Sequence, residues 1–285
     1  MIKRAKFCIV KKCTDKYPVR TMCNILKCSK SGYYDWLKRV SRKDKDDQIA
    51  GLILAWQEKT DYIYGYRRIK LWLSREKGII MNHKAVLRIM VKYDLLSEIR
   101  RKKRYKKHCD KVSKANNIMA GDFKTNNKST KWVTDITYVH ADEGVYYLSA
   151  IKDLYDGFVI SHKLGKKEDA GLVAATLEIA KKEVAEGLIL HSDQGTQYTS
   201  SVYNNLAKDY GITPSMSRAG TPLDNAPIES FFGTLKCECL YRHKPRDFEH
   251  AKELIDDYIY FYNYIRLQSK TMMTPHEKRM ERLAC

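Results

Sequence analysis

The sequence lacks any long apolar run. No stretch within its 285 residues approaches the roughly 20 apolar residues that a transmembrane helix needs. The apolar stretch within residues 1–12 is also too short for a signal peptide. These absences argue against the membrane-embedded and secreted classes, so we expect a cytoplasmic protein.

Cysteine is present without a clear framework. In an intracellular chain, eight cysteines are better interpreted as reduced thiols than as disulfides. Four of them form two pairs with four residues between partners, and a tetrahedral zinc would accept four thiolates. No glycine or proline shapes a knuckle within either pair, so we favour packing residues over zinc. The four are Cys8, Cys13, Cys23 and Cys28.

Acidic residues are scarce in the first half of the chain. Residues 1–130 carry 34 Lys and Arg against 12 Asp and Glu, whereas residues 131–285 carry 19 against 22. A positive field attracts nucleic acid through counterion release; it would also attract an anionic membrane, for which the sequence offers little else. We therefore expect the first half to bind a nucleic-acid backbone.

The densest basic run lies at residues 100–108, Arg-Arg-Lys-Lys-Arg-Tyr-Lys-Lys-His. Tyr105 is the only group that it could bury, and a block of like charge usually stays flexible until it meets its partner. We expect that partner to be a DNA backbone, and a nuclear-import signal is the competing interpretation. The DNA contacts expected here are Arg101, Lys102, Lys103 and Arg104.

Two small helical units come first in the chain. Residues 17–40 have the outline of a helix-turn-helix with a turn at residues 29–32, although many helical hairpins share it. After a charged linker at residues 41–47, three apolar stripes predict a compact bundle whose third helix is capped by Asn82. We expect the basic side chains on its exposed faces to contact phosphates. They are Arg67, Arg68, Lys70, Lys84 and Arg88.

From Lys131 onward the apolar pattern alternates, which predicts strands. Three strands in a meander are followed by helices that alternate with two further strands, and this order predicts an α/β fold with a mixed sheet covered by helices. The predicted elements after the meander are a helix at 170–185, a strand at 188–191, a helix at 201–210, a strand at 214–217 and a helix from about residue 225.

Three acids occupy positions that this order would bring together. Asp135 lies within the first strand, and Asp193 follows the fourth, where an open sheet forms its crevice. Glu229 lies in the first turns of the last of these helices, whose start Pro227 fits. We interpret the three carboxylates as one metal site for phosphodiester chemistry on DNA.

The neighbours of Glu229 support this interpretation. A carboxylate pressed between Ile228 and Phe231 is costly to desolvate unless a cation or a proton neutralises it. Helical spacing also puts Phe232 and Lys236 on the face of Glu229. We therefore expect a partly apolar setting for Glu229 and a lysine that holds substrate beside the metal.

Several blocks in a fixed order carry a family resemblance over nearly the whole chain. They are SGYYDW (31–36), YGYRRI (64–69), WVTDITY (132–138), HSDQGTQY (191–198), SMSRAG (215–220), DNAPIESFF (224–232) and FYNYIR (261–266). With these blocks the chain resembles the second-frame (OrfB) transposases of a large family of bacterial insertion sequences that move through a circular copied intermediate. Its core is similar to retroviral integrases.

The resemblance implies an RNase H-like (integrase core) mixed five-stranded sheet with flanking helices, preceded by small all-α helix-turn-helix-like units. It implies that Asp135, Asp193 and Glu229 hold two divalent ions, Mg²⁺ or Mn²⁺. Lys236 is similar to the lysine through which retroviral integrases touch a DNA end, and Arg218 is a further expected DNA contact. The implied reaction is nicking that frees a 3′-hydroxyl, followed by attack of that hydroxyl on another phosphodiester.

We expect five segments, the last with aromatic residues that we interpret mainly as core packing. They are a helix-turn-helix-like unit (1–44), a basic three-helix DNA-binding unit (45–100), a basic linker (101–128), a DDE catalytic core (129–245) and a helical tail (246–285).

The expected partners are double-stranded DNA at the element ends and at the target, further copies of this chain, and an upstream-frame (OrfA) protein or fusion. In the family the complete enzyme is usually a fusion to an upstream helix-turn-helix and coiled-coil protein, and no sustained heptad is present here. One alternative is therefore a DNA-binding or end-bridging subunit that is idle without OrfA. Another is a nuclease of the same fold that never joins strands.

Overall fold

A computed structural model describes residues 3–41, 45–99, 125, 127–217 and 225–281 of the chain. The helices before the sheet are α1 (Lys3–Cys13), α2 (Val19–Ile25), α3 (Lys30–Ser41), α4 (Lys45–Lys59), α5 (Tyr66–Glu76) and α6 (His83–Lys92). The strands are β1 (Lys131–His140), β2 (Val145–Asp153), β3 (Val159–Gly165), β4 (Ile189–Ser192) and β5 (Thr213–Met216). The remaining helices are α7 (Ala170–Ala180), α8 (Ser201–Asp209), α9 (Ala226–Leu235), α10 (Phe248–Tyr264) and α11 (Pro275–Met280).

The first helical unit, α1 to α3, packs around a small core. Its buried side chains are Val10, Met22, Cys23 and Tyr33. The predicted turn at residues 29–32 is shorter than expected, because the Ser29 hydroxyl accepts a hydrogen bond from the Gly32 amide at 3.2 Å and α3 already includes Gly32. The serine side chain thus caps the helix one turn earlier than glycine would suggest.

The second helical unit, α4 to α6, has the amphipathic pattern that the sequence predicts. Ile53, Ile69 and Ile89 are fully buried at its centre, and the rings of Trp56 and Trp72 stack with centroids 4.8 Å apart. The Asn82 side chain accepts a hydrogen bond from the Lys84 amide, which confirms the predicted cap of α6. The charged linker is shorter than predicted, since α4 begins at Lys45.

The five strands form one mixed sheet in the order β3-β2-β1-β4-β5. Strand β1 runs antiparallel to β2 and parallel to β4, β3 is antiparallel to β2, and β5 is parallel to β4. This arrangement confirms the predicted RNase H-like sheet with flanking helices. Alternate residues of β1 face opposite layers: Trp132 packs with α7 and α8, whereas Val133 packs with α9 and α10.

The C-terminal helices join the sheet to the second helical unit. Tyr258 and Tyr262 of α10 are buried in the core, as the expected packing role requires, whereas Tyr260 is 61% exposed. Just after α10, Leu267 is 4% exposed and belongs to the core of the second helical unit. Phe261 packs against both cores. The second helical unit therefore shares apolar side chains with the C-terminal segment.

In the ranges that the structure describes, no helix is both long and apolar enough to span a membrane.

We expect Leu267→Ala to lower the free energy of unfolding by about 2–4 kcal/mol, because it opens a cavity between the second helical unit and α10. Urea unfolding followed by circular dichroism measures the change. Leu54→Ala is the matched control, since Leu54 is 38% exposed and loses little burial. Equal effects of the two substitutions would contradict the proposed packing between the units.

Candidate active site

Asp135 and Asp193 are brought side by side by the pairing of β1 with β4. The parallel register sets Trp132 opposite Leu190 and Val133 opposite His191. Asp135 comes two residues after Val133, and Asp193 comes two residues after His191. The two aspartates therefore share one edge of the crevice. Neighbouring strands are about 4.8 Å apart, which is close enough for two carboxylates to repel each other strongly.

A tight turn after β4 orients Asp193. The Gly195 amide donates a hydrogen bond to Asp193 Oδ1 at 2.9 Å. A Cβ on Gly195 would lie 2.6 Å from Gln197 Oε1 and 3.0 Å from Asp193 Oδ1. A side chain at position 195 would therefore have to displace the end of the Gln197 side chain, and the turn holds one carboxylate oxygen of Asp193 through the Gly195 amide.

His191 connects the strand that precedes Asp193 to β5. Its Nδ1 lies 2.9 Å from Ser215 Oγ and its Nε2 lies 3.1 Å from Ser217 Oγ. The Ser217 amide donates to the Ser192 carbonyl at 2.9 Å. Both ring nitrogens of this buried histidine are thus engaged in holding β4, which makes it a structural support of the site rather than a ligand.

Glu229 reaches the site from α9, and its surroundings differ from the prediction. Pro227 is in the first turn as predicted, but Ile228 and Phe231 point into the core while Glu229 is exposed. The prediction of a carboxylate pressed between apolar groups was wrong. Helical rotation of about 100° per residue puts Glu229 outside the buried stripe.

The shared face predicted for Glu229, Phe232 and Lys236 also differs from the structure. Phe232 is 4% exposed and belongs to the buried stripe of α9, whereas Lys236 is half-buried in a π-helical turn (Lys236–Leu240) that continues the helix. Such a turn adds a residue per turn and shifts the side chains that follow. Because the turn begins at Lys236, the spacing from Glu229 to Lys236 is still α-helical, and both side chains interact with the charge of Asp135.

The three carboxylates interact through their charges. Burial and then the negative charge of Asp193 raise the pKa of Asp135, the Ile136 amide 2.8 Å from Oδ1 lowers it, and Glu229 adds a smaller increase, so that the pKa is about 7. Although the Glu229 side chain is exposed, partial loss of water around its carboxylate, and then the charge of Asp193, raise the pKa of Glu229. Burial lowers the pKa of Lys236, and the charge of Asp135 opposes that change. Lys236 and the three predicted acids thus form one electrostatic site.

A fourth acid near the site escaped the sequence analysis. Glu168, before α7, adds to the raised pKa of Asp135 and accepts a hydrogen bond from the Tyr138 hydroxyl at 3.3 Å. It follows a lysine pair in an exposed loop, so nothing in the local pattern distinguishes it from a solvated charge. Only the folding of the β3–α7 loop towards β1 shows its proximity.

An all-oxygen donor set suits the hard cations Mg²⁺ and Mn²⁺. Burial and the charge of Asp193 both disfavour the ionised form of Asp135, and a divalent cation would offset both, so the residues fit a metal of this class. In the described ranges, however, no three His, Cys, Asp or Glu side chains are placed to share one ion. The site brings Asp135 and Asp193 together, and Glu229 on α9 is close enough for its charge to act on Asp135.

Comparison with known proteins matches separate family models to the second helical unit and to the region that contains the sheet. Two models described as "Integrase core domain" match residues 126–222 and 210–275, and one described as "HTH-like domain" matches residues 44–103, the second helical unit. The putative transposase InsK for insertion sequence element IS150 of Escherichia coli is 38% identical over 267 residues, with 92% of this chain and 94% of the relative covered. The chain belongs to the IS3 family of insertion-sequence transposases.

Other relatives extend this comparison. The transposase InsF for IS3A of Escherichia coli is 31% identical and is covered over 84% of its length by 83% of this chain. The probable transposase for IS1353 of Shigella flexneri is 34% identical, but this chain spans only 50% of it. Among solved structures, the HTLV-2 integrase catalytic core domain in complex with magnesium is similar at 17% identity and a TM-score of 0.46, with 55% of this chain and 99% of that chain covered. This transposase is thus an OrfB-type polynucleotidyl transferase of the DDE class.

The predicted DNA contacts of the transposase stay predictions. Arg67 is exposed beside the Tyr66 ring, as a phosphate contact requires. Arg68 is turned inward and lies 3.4 Å from Glu238 Oε1, and Arg88 forms two hydrogen bonds with Asp46. The predicted contacts Arg101, Lys102, Lys103, Arg104 and Arg218 lie outside the described residues.

We expect Asp135→Asn to stabilise the metal-free transposase increasingly as the pH rises. Because the folded-state pKa of Asp135 is raised to about 7, the folded protein binds this proton more tightly than the unfolded chain. Ionisation therefore lowers the stability of the wild type between about pH 4 and pH 7, and asparagine removes that loss. The expected gain at pH 8 is about 1–3 kcal/mol in the free energy of unfolding.

Chemical denaturation in EDTA at pH 5 and pH 8 measures this gain, with Asp209→Asn at the exposed end of α8 as the control. Added Mg²⁺ should stabilise the wild type and have less effect on Asp135→Asn. A stability difference that does not change with pH would show that the pKa of Asp135 is not raised in the folded protein.

Proposed function

We propose that this transposase nicks insertion-sequence ends to free a 3′-hydroxyl and then joins that hydroxyl to another phosphodiester, with Asp135, Asp193 and Glu229 as the metal-binding carboxylates. The observation that carries the proposal is the juxtaposition of Asp135 and Asp193 across β1 and β4, with Glu229 close enough to raise the pKa of Asp135. Repelling carboxylates beside a DNA-binding half are hard to explain without a cation between them.

The three carboxylates would have different roles in holding the metal. Asp135 and Asp193 form the rigid part of the ligand set, because β1 and the turn at Gly195 fix both. Glu229 is at an exposed position in the first turns of α9, so it would complete the set from outside the sheet. When bound, two Mg²⁺ or Mn²⁺ ions would activate the attacking oxygen and stabilise the leaving oxygen.

Lys236 is suited to hold the DNA strand beside the carboxylates. Its ammonium group interacts with the charge of Asp135. A lysine in this position would neutralise a phosphate oxygen next to the scissile bond and would orient it without taking part in bond formation. The exposed Arg67 and the basic segment 101–128 would bind more distant phosphates of the same duplex.

We expect Glu229→Gln to bind element-end DNA like the wild type but to nick it at least about 100-fold more slowly, because the substitution removes one charged metal ligand. Labelled end DNA is incubated with each protein in Mg²⁺ and in EDTA, and the products are separated on a denaturing gel. Glu178→Gln, at an exposed position of α7, is the matched control and should retain activity.

The gel also distinguishes joining from hydrolysis. A product longer than the substrate, formed by the wild type only in Mg²⁺, is the expected result of strand transfer. Nicked DNA without such a product would instead support a nuclease that never joins strands. Full activity of Glu229→Gln would remove Glu229 from the proposed ligand set.

A second candidate is a DNA-binding or end-bridging subunit that is catalytically idle without an OrfA partner or fusion. The observation that favours it is the IS1353 relative, half of which has no counterpart in this chain. If the wild type binds ends but neither nicks nor joins them in Mg²⁺, this candidate is supported, and adding the OrfA protein should restore activity. We also propose that the active form on DNA contains at least two copies of the chain, since strand transfer joins two ends.

A further inference from the structure

A buried acid lies where the second helical unit meets the catalytic core. Glu238 is in the π-helical turn after α9 and is 4% exposed. Its carboxylate accepts hydrogen bonds from Arg266 Nε and Nη2, each at 2.7 Å, and from the Tyr258 hydroxyl at 2.8 Å. A further cation comes from the helical unit, since Arg68 Nη1 lies 3.4 Å from Oε1. One carboxylate thus receives donors from both parts of the molecule.

Arg68 differs from its neighbour Arg67 in what it can reach. The Arg68 guanidinium lies 5.7 Å from the centroid of the Tyr64 ring, and its side chain is 20% exposed. Arg67 is exposed. Successive residues of α5 are rotated by about 100°, so one arginine faces the core and the other faces solvent. The pair therefore offers a natural comparison between an internal and an external role.

Other hydrogen bonds near Arg68 connect the second helical unit to the segments that follow α9 and α10. The Tyr64 hydroxyl donates to the Ile265 carbonyl at 3.1 Å and accepts from the Leu267 amide at 2.9 Å, and Tyr64 is fully buried. Arg242, just after the π-helical turn, hydrogen-bonds Glu98 at 3.0 Å and also pairs with Asp61. Directional hydrogen bonds on both sides of the π-helical turn thus favour one placement of the second helical unit relative to the catalytic core.

The same turn carries Lys236 on its other side. Lys236 interacts with Asp135 in the active site, whereas Glu238, two residues later, binds Arg68 and Arg266. Any shift of the helical unit that moves Arg68 would therefore act on the turn that places Lys236. Glu229 belongs to the helix that the turn continues, so it would be affected through the same element.

We propose that Arg68 and Glu238 are positioning residues that set the second helical unit in register with the active site. DNA bound by the helical unit would then present its scissile phosphate to Lys236 and the carboxylates in one orientation. This inference rests on the proposed nicking activity. It assigns Arg68 a role between the two parts of the protein instead of the phosphate contact that the sequence suggests.

Arg68→Met is the variant that tests the link, because it leaves the paired Glu238 and Arg266 intact. Glu238→Gln is less informative, since it would leave the buried Arg266 without its counter-charge and would endanger folding. Arg67→Met serves as the matched control for a phosphate contact on the same helix. Arg68→Lys, which keeps the charge, is the conservative variant.

Nicking of a labelled element end in Mg²⁺ gives kcat and KM, and DNA affinity at several salt concentrations gives the number of phosphates contacted. We expect Arg68→Met to lower kcat at saturating DNA by about 10-fold, because a small misplacement of substrate strongly slows reaction. Its KM and salt dependence should match the wild type, and Arg68→Lys should recover part of the loss. Arg67→Met should instead weaken binding and reduce the salt slope by about 1.

Amide hydrogen exchange separates positioning from general destabilisation. For Arg68→Met we expect faster exchange only around residues 62–69 and 261–267, with the strands unchanged. The inference is overturned by a reduced salt slope with unchanged kcat, which would make Arg68 a phosphate contact. It is also overturned by an unchanged kcat alone, or by faster exchange throughout the core. If the wild type does not nick, the proposed function itself fails, and that result is visible before any variant is compared.

Discussion

The parallel pairing of β1 with β4 places Asp135 beside Asp193, and their mutual repulsion is the constraint around which the catalytic core is arranged. A pair of like charges separates if its backbone can move. Here β1 is hydrogen-bonded to β2 on one side and to β4 on the other, and its residues are packed between helices on both faces. The sheet therefore supplies the rigidity that keeps the two carboxylates together despite their repulsion.

Several elements around Asp135 and Asp193 support the site, some by direct contact and others from further away. The turn at Gly195 holds one oxygen of Asp193, and His191 fastens β4 to β5 beneath it. Helix α9, anchored in the core by Ile228 and Phe231, brings Glu229 to the site from outside the sheet. The buried contacts at Glu238 connect this arrangement to the second helical unit.

Much of this organisation can be predicted from sequence. Alternating residues from Lys131 onward predict the strands, the polar residues after β4 mark the crevice, and the three acids stand out once their context is considered. What fails are statements about side-chain surroundings. Glu229 was expected among apolar groups and is exposed, because adjacent residues of a helix point in different directions and sequence proximity to Phe231 does not imply contact. Arg68 was expected on a basic surface and lies against Glu238, 170 residues away in sequence.

The sequence by itself determined the elements, their order and the chemical character of the site, because periodicity, caps and residue type are local properties of the chain. Only the tertiary structure decided which groups meet. The β1–β4 register sets Asp135 against Asp193, the loop before α7 adds Glu168, and the π-helical turn directs Lys236 and Glu238 to opposite neighbours. These outcomes depend on strand pairing, burial and the rotation of helices against the sheet, which act between residues far apart in the sequence.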